Sequence, residues 1–204
     1  MGAARVHMIR HGEVENPTGV VYGRLPGFHL SERGRRQAAA AASALKDAGA
    51  DVRRIVSSPL ERTMESAAPI GEMFGLEIET DQDLLEATSR LEGKSYDVSL
   101  AILGHPSAWR YLVNPFRPSW GEPYRPVLER MSRAIRRAAT ETDGGDLVVV
   151  AHQMPIWAVS RNAQGKPLFH DPRKRQCAHS SITTLEFRGD TLVPAGYLDP
   201  GREV

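Results

Sequence analysis

Short apolar runs alternate along the chain with longer stretches in which apolar residues recur every three or four positions. The short runs predict strands at residues 5–9, 55–57, 76–80 and 146–151. The last of these, DLVVVA, is continuously apolar after its first residue, as a strand covered on both faces requires. Two further runs, at 181–187 and 191–197, flank Arg188-Gly189-Asp190 and predict a terminal hairpin.

The longer stretches predict helices between these strands. The first helix is expected to begin after Ser31, a favourable N-cap, and to end at Gly49. The second is expected to have Ser58 as its N-cap and Pro59 in its first turn, and to end at Gly75. Two more helices are predicted, at about residues 125–142 and from Pro155 onward. Strands that alternate with helices predict an α/β fold with helices on both faces of a mostly parallel sheet.

Residues 84–124 interrupt this alternation. Their periodicity fades, and they hold four prolines and two tryptophans. This composition predicts an irregular insertion with short helices. Because no internal repeat or linker divides the remainder, residues 1–204 are predicted to form a single domain that carries this insertion.

Composition excludes several classes of protein. Hydrophobic residues make up 41% and charged residues 25%, which argues against wholesale disorder. A net charge of +1 argues against a nucleic-acid partner. A lone cysteine, Cys177, excludes an intramolecular disulfide, and no apolar run approaches the roughly 18 residues of a membrane span. With no signal-peptide core at the start, we expect a cytoplasmic protein that needs no membrane. Its oligomeric state stays open, a homodimer included.

Three polar segments follow predicted strands. Arg10-His11 follows the first, Arg62 lies just after the second, and His152 follows DLVVVA. In open α/β sheets, ligands bind beyond the carboxyl ends of the strands. Arginine pairs with phosphate oxygens through a planar, permanently charged fork, and histidine can act as nucleophile, acid or base near neutral pH. Two arginines and two histidines at one edge therefore predict chemistry on a phosphoryl group.

The segments RHGEVEN, SSPLERT and AHQ resemble the histidine phosphatase superfamily, which includes phosphoglycerate mutases and many small-molecule phosphatases. The resemblance covers about residues 5–187. It implies a three-layer α/β/α fold with the insertion near the active site, and a phosphohistidine intermediate on His11. By the same resemblance Arg10, Arg62 and His152 hold the phosphoryl oxygens, and Glu86 is the proton donor. Asn16 lies near the position of a phosphate-contacting asparagine, one residue short of the common RHGETxxN spacing.

Elementary chemistry agrees with these implied roles. A neutral imidazole attacks phosphorus when its other nitrogen keeps a proton held by an acceptor. A carboxylic acid with a raised pKa helps a poor alkoxide to leave. Glu13 and Glu92 are rival carboxylates for this role. No step requires a metal or an organic cofactor, and His7 with His11 lie on a strand and its following loop, where their spacing does not converge on a metal.

The leading hypothesis is a phosphomonoesterase acting on a small phosphorylated metabolite. The alternatives are a phosphoglycerate mutase-type phosphoryl transfer and a non-catalytic phospho-ligand binding protein. Mutases of the superfamily usually carry Glu-Arg-His-Tyr-Gly at the acid, whereas Ala87-Thr88-Ser89-Arg90 follows Glu86 here. This departure favours hydrolysis. His105, His170 and His179 are expected to be structural or surface residues, and the basic run 173–175 is expected to be a solvated face.

Overall fold

A computed structural model of the chain describes residues 2–94, 121–171 and 174–204. Its strands are β1 (Arg5–Arg10), β2 (Val52–Ser57), β3 (Ile78–Thr80), β4 (Asp146–Ala151), β5 (Ile182–Arg188) and β6 (Thr191–Leu198). The α-helices among the described residues are α1 (Glu32–Asp47), α2 (Glu61–Phe74), α3 (Tyr124–Glu141) and α4 (Gln153–Ala163). A short 3-10 turn spans Gln82–Leu84. The predicted α/β alternation is confirmed.

The strands form one sheet in the order β3-β2-β4-β1-β5-β6. Strands β1, β2, β3 and β4 run parallel to their neighbours within this group. The terminal hairpin β5–β6 is antiparallel and joins the sheet beside β1. The sheet is therefore mostly parallel, as predicted, and the carboxyl ends of β1, β2 and β4 share one edge.

Side chains on the central strands alternate between the two faces of the sheet. From β1, Met8 packs in an apolar cluster with Ile135 of α3 and Ile156 of α4. Its neighbour Ile9 packs on the opposite face with Ala41 of α1 and Ile70 of α2. This period of two buries both faces of the strand, which explains the continuous apolar runs in the sequence. The sheet is thus the middle of three layers.

The start of the second helix differs from its prediction. Helix α2 begins at Glu61, and Leu60 occupies the N-cap position without a side-chain cap bond. Ser58 was expected to be the cap, but its hydroxyl lies 2.8 Å from Nε2 of His152 and is engaged there. Arg62 remains in the first turn of the helix. At the other end the prediction is confirmed, since Gly75 closes the helix in the left-handed conformation.

The predicted insertion lies mainly outside the described residues, which resume at residue 121. The single-domain organisation therefore stays a prediction, as does the placement of His105. Within the described ranges, no helix has both the length and the apolar character needed to cross a membrane.

Candidate active site

The carboxyl ends of β1 and β4 bring two histidines together. The strands are parallel neighbours with Arg10 opposite Ala151, so His11 and His152 leave the sheet side by side. The backbone N–H of His11 donates to the Ala151 carbonyl at 3.1 Å. The two rings lie 5.3 Å apart between centroids, and both residues are buried. The sheet register alone therefore produces a buried pair of imidazoles.

The two ring nitrogens of His11 differ: Nδ1 is held by a hydrogen bond, and Nε2 has a free lone pair. Its Nδ1 lies 2.8 Å from the carbonyl oxygen of Gly12, which can only accept, so Nδ1 carries the proton. Nε2 of the neutral ring is then unprotonated. Burial, with the positive charges of Arg10 and Arg62, holds the pKa of His11 well below its usual range. The ring is therefore neutral at physiological pH, the form that a nucleophile requires.

The loop that carries His11 is held tightly against helices α1 and α2. A Cβ on Gly34, in the first turn of α1, would lie 2.0 Å from the carbonyl oxygen of Glu13. The backbone N–H of Gly12 donates to Oγ of Ser66 on α2 at 3.0 Å. The position of the His11 ring thus depends on a close approach that only glycine permits at residue 34.

Two arginines point unpaired donors into the same region. Arg62 is fully buried, and its Nε and Nη1 have no hydrogen-bond partner among the described residues. Its Nη2 donates to the carbonyl oxygen of Gly23, and its guanidinium lies 4.9 Å from the centre of the Tyr22 ring. Nε of Arg10 is also buried without a partner in the described part of the chain. Buried, unpaired guanidinium groups are costly, and an anion with several acceptor oxygens would satisfy them.

His152 is oriented by Ser58 and by Arg62. Its Nδ1 lies 3.5 Å from Nη2 of Arg62, which can only donate, so Nδ1 is an acceptor. Nε2 therefore carries the proton and donates to Ser58 Oγ. Burial, with the permanent charge of nearby Arg62, holds the pKa of His152 well below its usual range. The serine that sequence reasoning assigned to helix capping fixes this imidazole instead.

Glu86 is placed by the irregular segment that follows the 3-10 turn. Its Oε1 accepts the backbone N–H of Ala87 at 2.8 Å. Burial raises the pKa of its carboxyl, although the Ala87 N–H and the charges of Arg10, Arg175 and Arg62 act in the opposite direction. The carboxyl thus keeps its proton to higher pH than an exposed glutamate, which suits a general acid.

The two rival carboxylates are engaged elsewhere. Oε1 of Glu13 accepts from the hydroxyl of Ser31 at 2.9 Å, at the start of α1. Oε1 of Glu92 accepts the backbone N–H of Arg24 at 3.1 Å and that of Ser89 at 3.3 Å. Glu13 thus supports the start of α1 and Glu92 supports loop backbone, so the geometry favours Glu86 among the three. Its role as proton donor stays a prediction.

Asn16 braces its own loop. Its Nδ2 donates to the carbonyl oxygen of Val20 at 2.9 Å, and its Oδ1 accepts the N–H of the same residue at 3.2 Å. One hydrogen on Nδ2 remains for another acceptor. The predicted contact of Asn16 with phosphate therefore stays a prediction, and the structure adds a role in shaping the loop.

His179 is the site residue that sequence reasoning missed. It was expected to be structural or surface, yet its Nε2 accepts from Nη2 of Arg10 at 2.9 Å and its ring lies 5.9 Å from that of His11. Burial and the charge of Arg10 lower its pKa to about 4. The signal lay in the hairpin: β5 runs antiparallel to β1, so the loop before β5 meets the end of β1. The sequence predicts the hairpin but does not show that its first strand pairs with β1.

Arg175 also differs from its prediction as part of a solvated basic run. It is partly buried, with Nε 2.8 Å from Nε2 of His170 and Nη1 3.2 Å from Oε1 of Gln153, the first residue of α4. Lys174 is exposed, as expected, and residue 173 lies outside the described residues. This difference arises from tertiary structure. The segment that holds Arg175 packs against the start of α4, and no local sequence pattern predicts this contact.

Comparison with known proteins places the chain in a family. The Histidine phosphatase superfamily (branch 1) matches residues 6–199. An uncharacterized protein of Mycobacterium tuberculosis, Rv0525, is 47% identical over 196 residues, 96% of each chain. The glucosyl-3-phosphoglycerate phosphatase of Mycolicibacterium vanbaalenii is 32% identical over 84% of this chain and 79% of its own. The native structure of mycobacterial glucosyl-3-phosphoglycerate phosphatase Rv2419c matches with a TM-score of 0.74, at 27% identity over 96% of both chains.

Proposed function

The chain belongs to the histidine phosphatase superfamily, and we propose that it is a phosphomonoesterase that hydrolyses a small phosphorylated metabolite through a phosphohistidine on His11. The observation that carries this proposal is the state of His11. Its ring is buried and neutral, its Nδ1–H is held by Gly12, and unpaired guanidinium donors of Arg10 and Arg62 lie beside it. This arrangement suits an imidazole that must accept a phosphoryl group and a pocket that must hold one.

In the first step, Nε2 of His11 attacks the phosphorus of the bound ester. A nitrogen–phosphorus bond forms while the bond from phosphorus to the ester oxygen breaks. Arg10 and Arg62 donate to the peripheral oxygens and stabilise their charge as the phosphoryl group moves. Glu86 gives its proton to the departing oxygen, so that an alcohol leaves and the carboxylate remains.

In the second step, water attacks the phosphohistidine from the side that the alcohol has left. The Glu86 carboxylate takes a proton from this water, the nitrogen–phosphorus bond breaks, and inorganic phosphate departs. His11 regains its lone pair, and Glu86 regains its proton. Both groups return to their starting states, so the cycle needs no external acid, base or cofactor.

Three observations favour hydrolysis over the alternatives. Residues 87–90 depart from the segment that mutases of the superfamily usually carry after the acid. A partly buried carboxyl with a raised pKa, near Arg10 and Arg62, is unnecessary in a protein that only binds a phosphorylated ligand. The likeness to glucosyl-3-phosphoglycerate phosphatases also supports a phosphatase.

Phosphate release over a panel of phosphomonoesters tests the proposal. The panel should hold sugar phosphates, phosphoglycerates, glucosyl-3-phosphoglycerate and an aryl phosphate, each assayed with and without a chelator. We expect one phosphate released per ester consumed, with no effect of the chelator. Interconversion of phosphoglycerates without release would identify a mutase, and binding of phosphorylated ligands without turnover would identify a binding protein.

Substitution of Gly34 by alanine is expected to impair both stability and turnover. The added Cβ would meet the Glu13 carbonyl, so either α1 or the His11 loop must move. Such overpacking costs about 1–3 kcal/mol, which the better helix propensity of alanine offsets by about 1 kcal/mol. Displacing the nucleophile by about 1 Å can lower the rate about a hundredfold. Thermal unfolding and kcat provide the measurements.

The matched control is Gly196→Ala in β6, where an added Cβ has open space. This variant should keep the kcat of the native chain. Equal kcat values for the two variants would show that the contact at Gly34 does not position His11.

A further inference from the structure

Three charged residues, Arg24 and the distant pair Glu122 and Arg130, meet close to Glu86. Nε and Nη2 of Arg130 donate to Oε1 and Oε2 of Glu122, each at 3.1 Å. Nη2 of Arg24 donates to Oε2 of the same carboxylate, also at 3.1 Å. Arg24 comes from the loop after β1 and Arg130 from helix α3, where it is only 8% exposed. Glu122 thus holds two guanidinium groups in fixed positions.

Each arginine also donates to the backbone around Glu86. Nη1 of Arg130 donates to the carbonyl oxygen of Leu85 at 2.5 Å and to that of Asp83 at 2.7 Å. Nε of Arg24 donates to the carbonyl oxygen of Glu86 at 2.6 Å. The peptide groups before and after the Cα of Glu86 are therefore each held by one arginine.

This support matters because Glu86 has no regular secondary structure to position it. It follows the 3-10 turn and precedes the isolated bridge between Ser89 and Gly121. The N–H of Glu122 donates to the carbonyl oxygen of Thr88 at 2.9 Å, which ties the carboxylate to the same segment. A general acid must reach the leaving oxygen at hydrogen-bond distance, and an error of about 1 Å can cost about a hundredfold in rate.

We propose that Glu122 is a positioning residue for the general acid, acting through Arg24 and Arg130 on the backbone that carries Glu86. The inference rests on the proposed function, in which Glu86 protonates the leaving oxygen. Without the carboxylate, the two arginines repel one another and lose the acceptor that orients their forks. The carbonyl groups of Leu85 and Glu86 would then no longer be fixed together.

The test is Glu122→Gln in the full chain, assayed on para-nitrophenyl phosphate and on the best alkyl ester of the panel. An aryl oxide leaves with little help from an acid, whereas an alkoxide needs it. We expect kcat on the alkyl ester to fall by about tenfold or more, with KM unchanged, while kcat on the aryl ester changes far less. Glu129→Gln is the matched control, because Glu129 lies on α3 next to Arg130 and pairs only with exposed Arg125 among the described residues.

The pH profile supplies a readout that a merely structural role would not move. Burial raises the pKa of the Glu86 carboxyl against the charges of Arg10, Arg175 and Arg62. Removing the negative charge of Glu122 leaves the charge of Arg24, which interacts with Glu86, less compensated, and this favours ionised Glu86. The basic limb on the alkyl ester should therefore move to lower pH in Glu122→Gln and stay in place in Glu129→Gln.

Two further variants distinguish a failure to fold, a failure of the positioning role of Glu122 and a failure of Glu86 as the acid. If Glu122→Gln does not fold, Arg24→Gln tests the same carbonyl contact, since the side chain of Arg24 is 30% exposed. In the double variant Glu86→Gln/Glu122→Gln, the ratio of alkyl to aryl rates should equal that of Glu86→Gln alone. Equal losses on both esters with an unmoved pH profile would overturn the positioning role while Glu86→Gln still shows its selective loss. Equal losses in Glu86→Gln itself would instead overturn the acid in the proposed function.

Discussion

Replacement of His11 by alanine is expected to lower kcat by more than about a thousandfold, because removal of a covalent nucleophile generally costs at least that much. The fold should persist, since within the described part of the chain the ring makes one hydrogen bond, to Gly12, and it leaves the sheet at its edge. Circular dichroism and thermal unfolding check the fold, and phosphate release from the best ester checks kcat.

His7→Ala is the matched control for the loss of a buried imidazole. His7 lies on β1, the strand that His11 follows, with its Nδ1 2.9 Å from Oγ1 of Thr184 and its Nε2 3.5 Å from Asp146. Its loss should reduce thermal stability and spare kcat. A folded His11→Ala variant that keeps more than about a thousandth of the native kcat would exclude His11 as the nucleophile.

Glu86→Gln is expected to slow alkyl esters by about 10²–10⁴-fold, the usual contribution of a general acid, and to slow aryl phosphates much less. The pH profile of the native enzyme should have an acidic limb from protonation of His11 and a basic limb from ionisation of Glu86. Burial lowers the pKa of His11 and raises that of Glu86, so the acidic limb lies below the usual histidine range and the basic limb above the usual glutamate range. In the variant the basic limb should flatten.

Glu13→Gln and Glu92→Gln are the controls for this prediction, because these carboxylates hold loop backbone and a helix start. Both should keep the native ratio of alkyl to aryl rates and the basic limb. If Glu86→Gln slows both ester classes equally without changing the profile, the acid is another group, and the control with the selective loss identifies it.

Much of the site was predictable because its residues follow strands with clear apolar patterns. Arg10, His11 and His152 each come directly after such a strand, and parallel strands end at one edge. The order of the strands was not predictable, since no local feature places β4 beside β1. The two imidazoles could therefore be expected in one crevice. The hydrogen bond from the His11 backbone N–H to the Ala151 carbonyl could not be expected.

Residues that act across long sequence separations escaped prediction for the same reason. Ser58 stands where the sequence predicts a helix N-cap. In the folded protein its hydroxyl contacts His152 instead. His179 and Glu122 act on Arg10 and Arg24, which lie far away along the chain. Such contacts arise from tertiary packing, and a single sequence holds no periodic signal for them.

Trapping of the covalent intermediate tests most directly whether His11 is the nucleophile. The enzyme is mixed rapidly with its best ester, quenched in alkali, where phosphohistidine survives, and digested for mass spectrometry. We expect one phosphoryl group on the peptide that holds His11, lost on acid treatment and missing from His11→Ala. Phosphate release with no phosphorylated peptide during turnover, or a phosphoryl group on another residue, would contradict it.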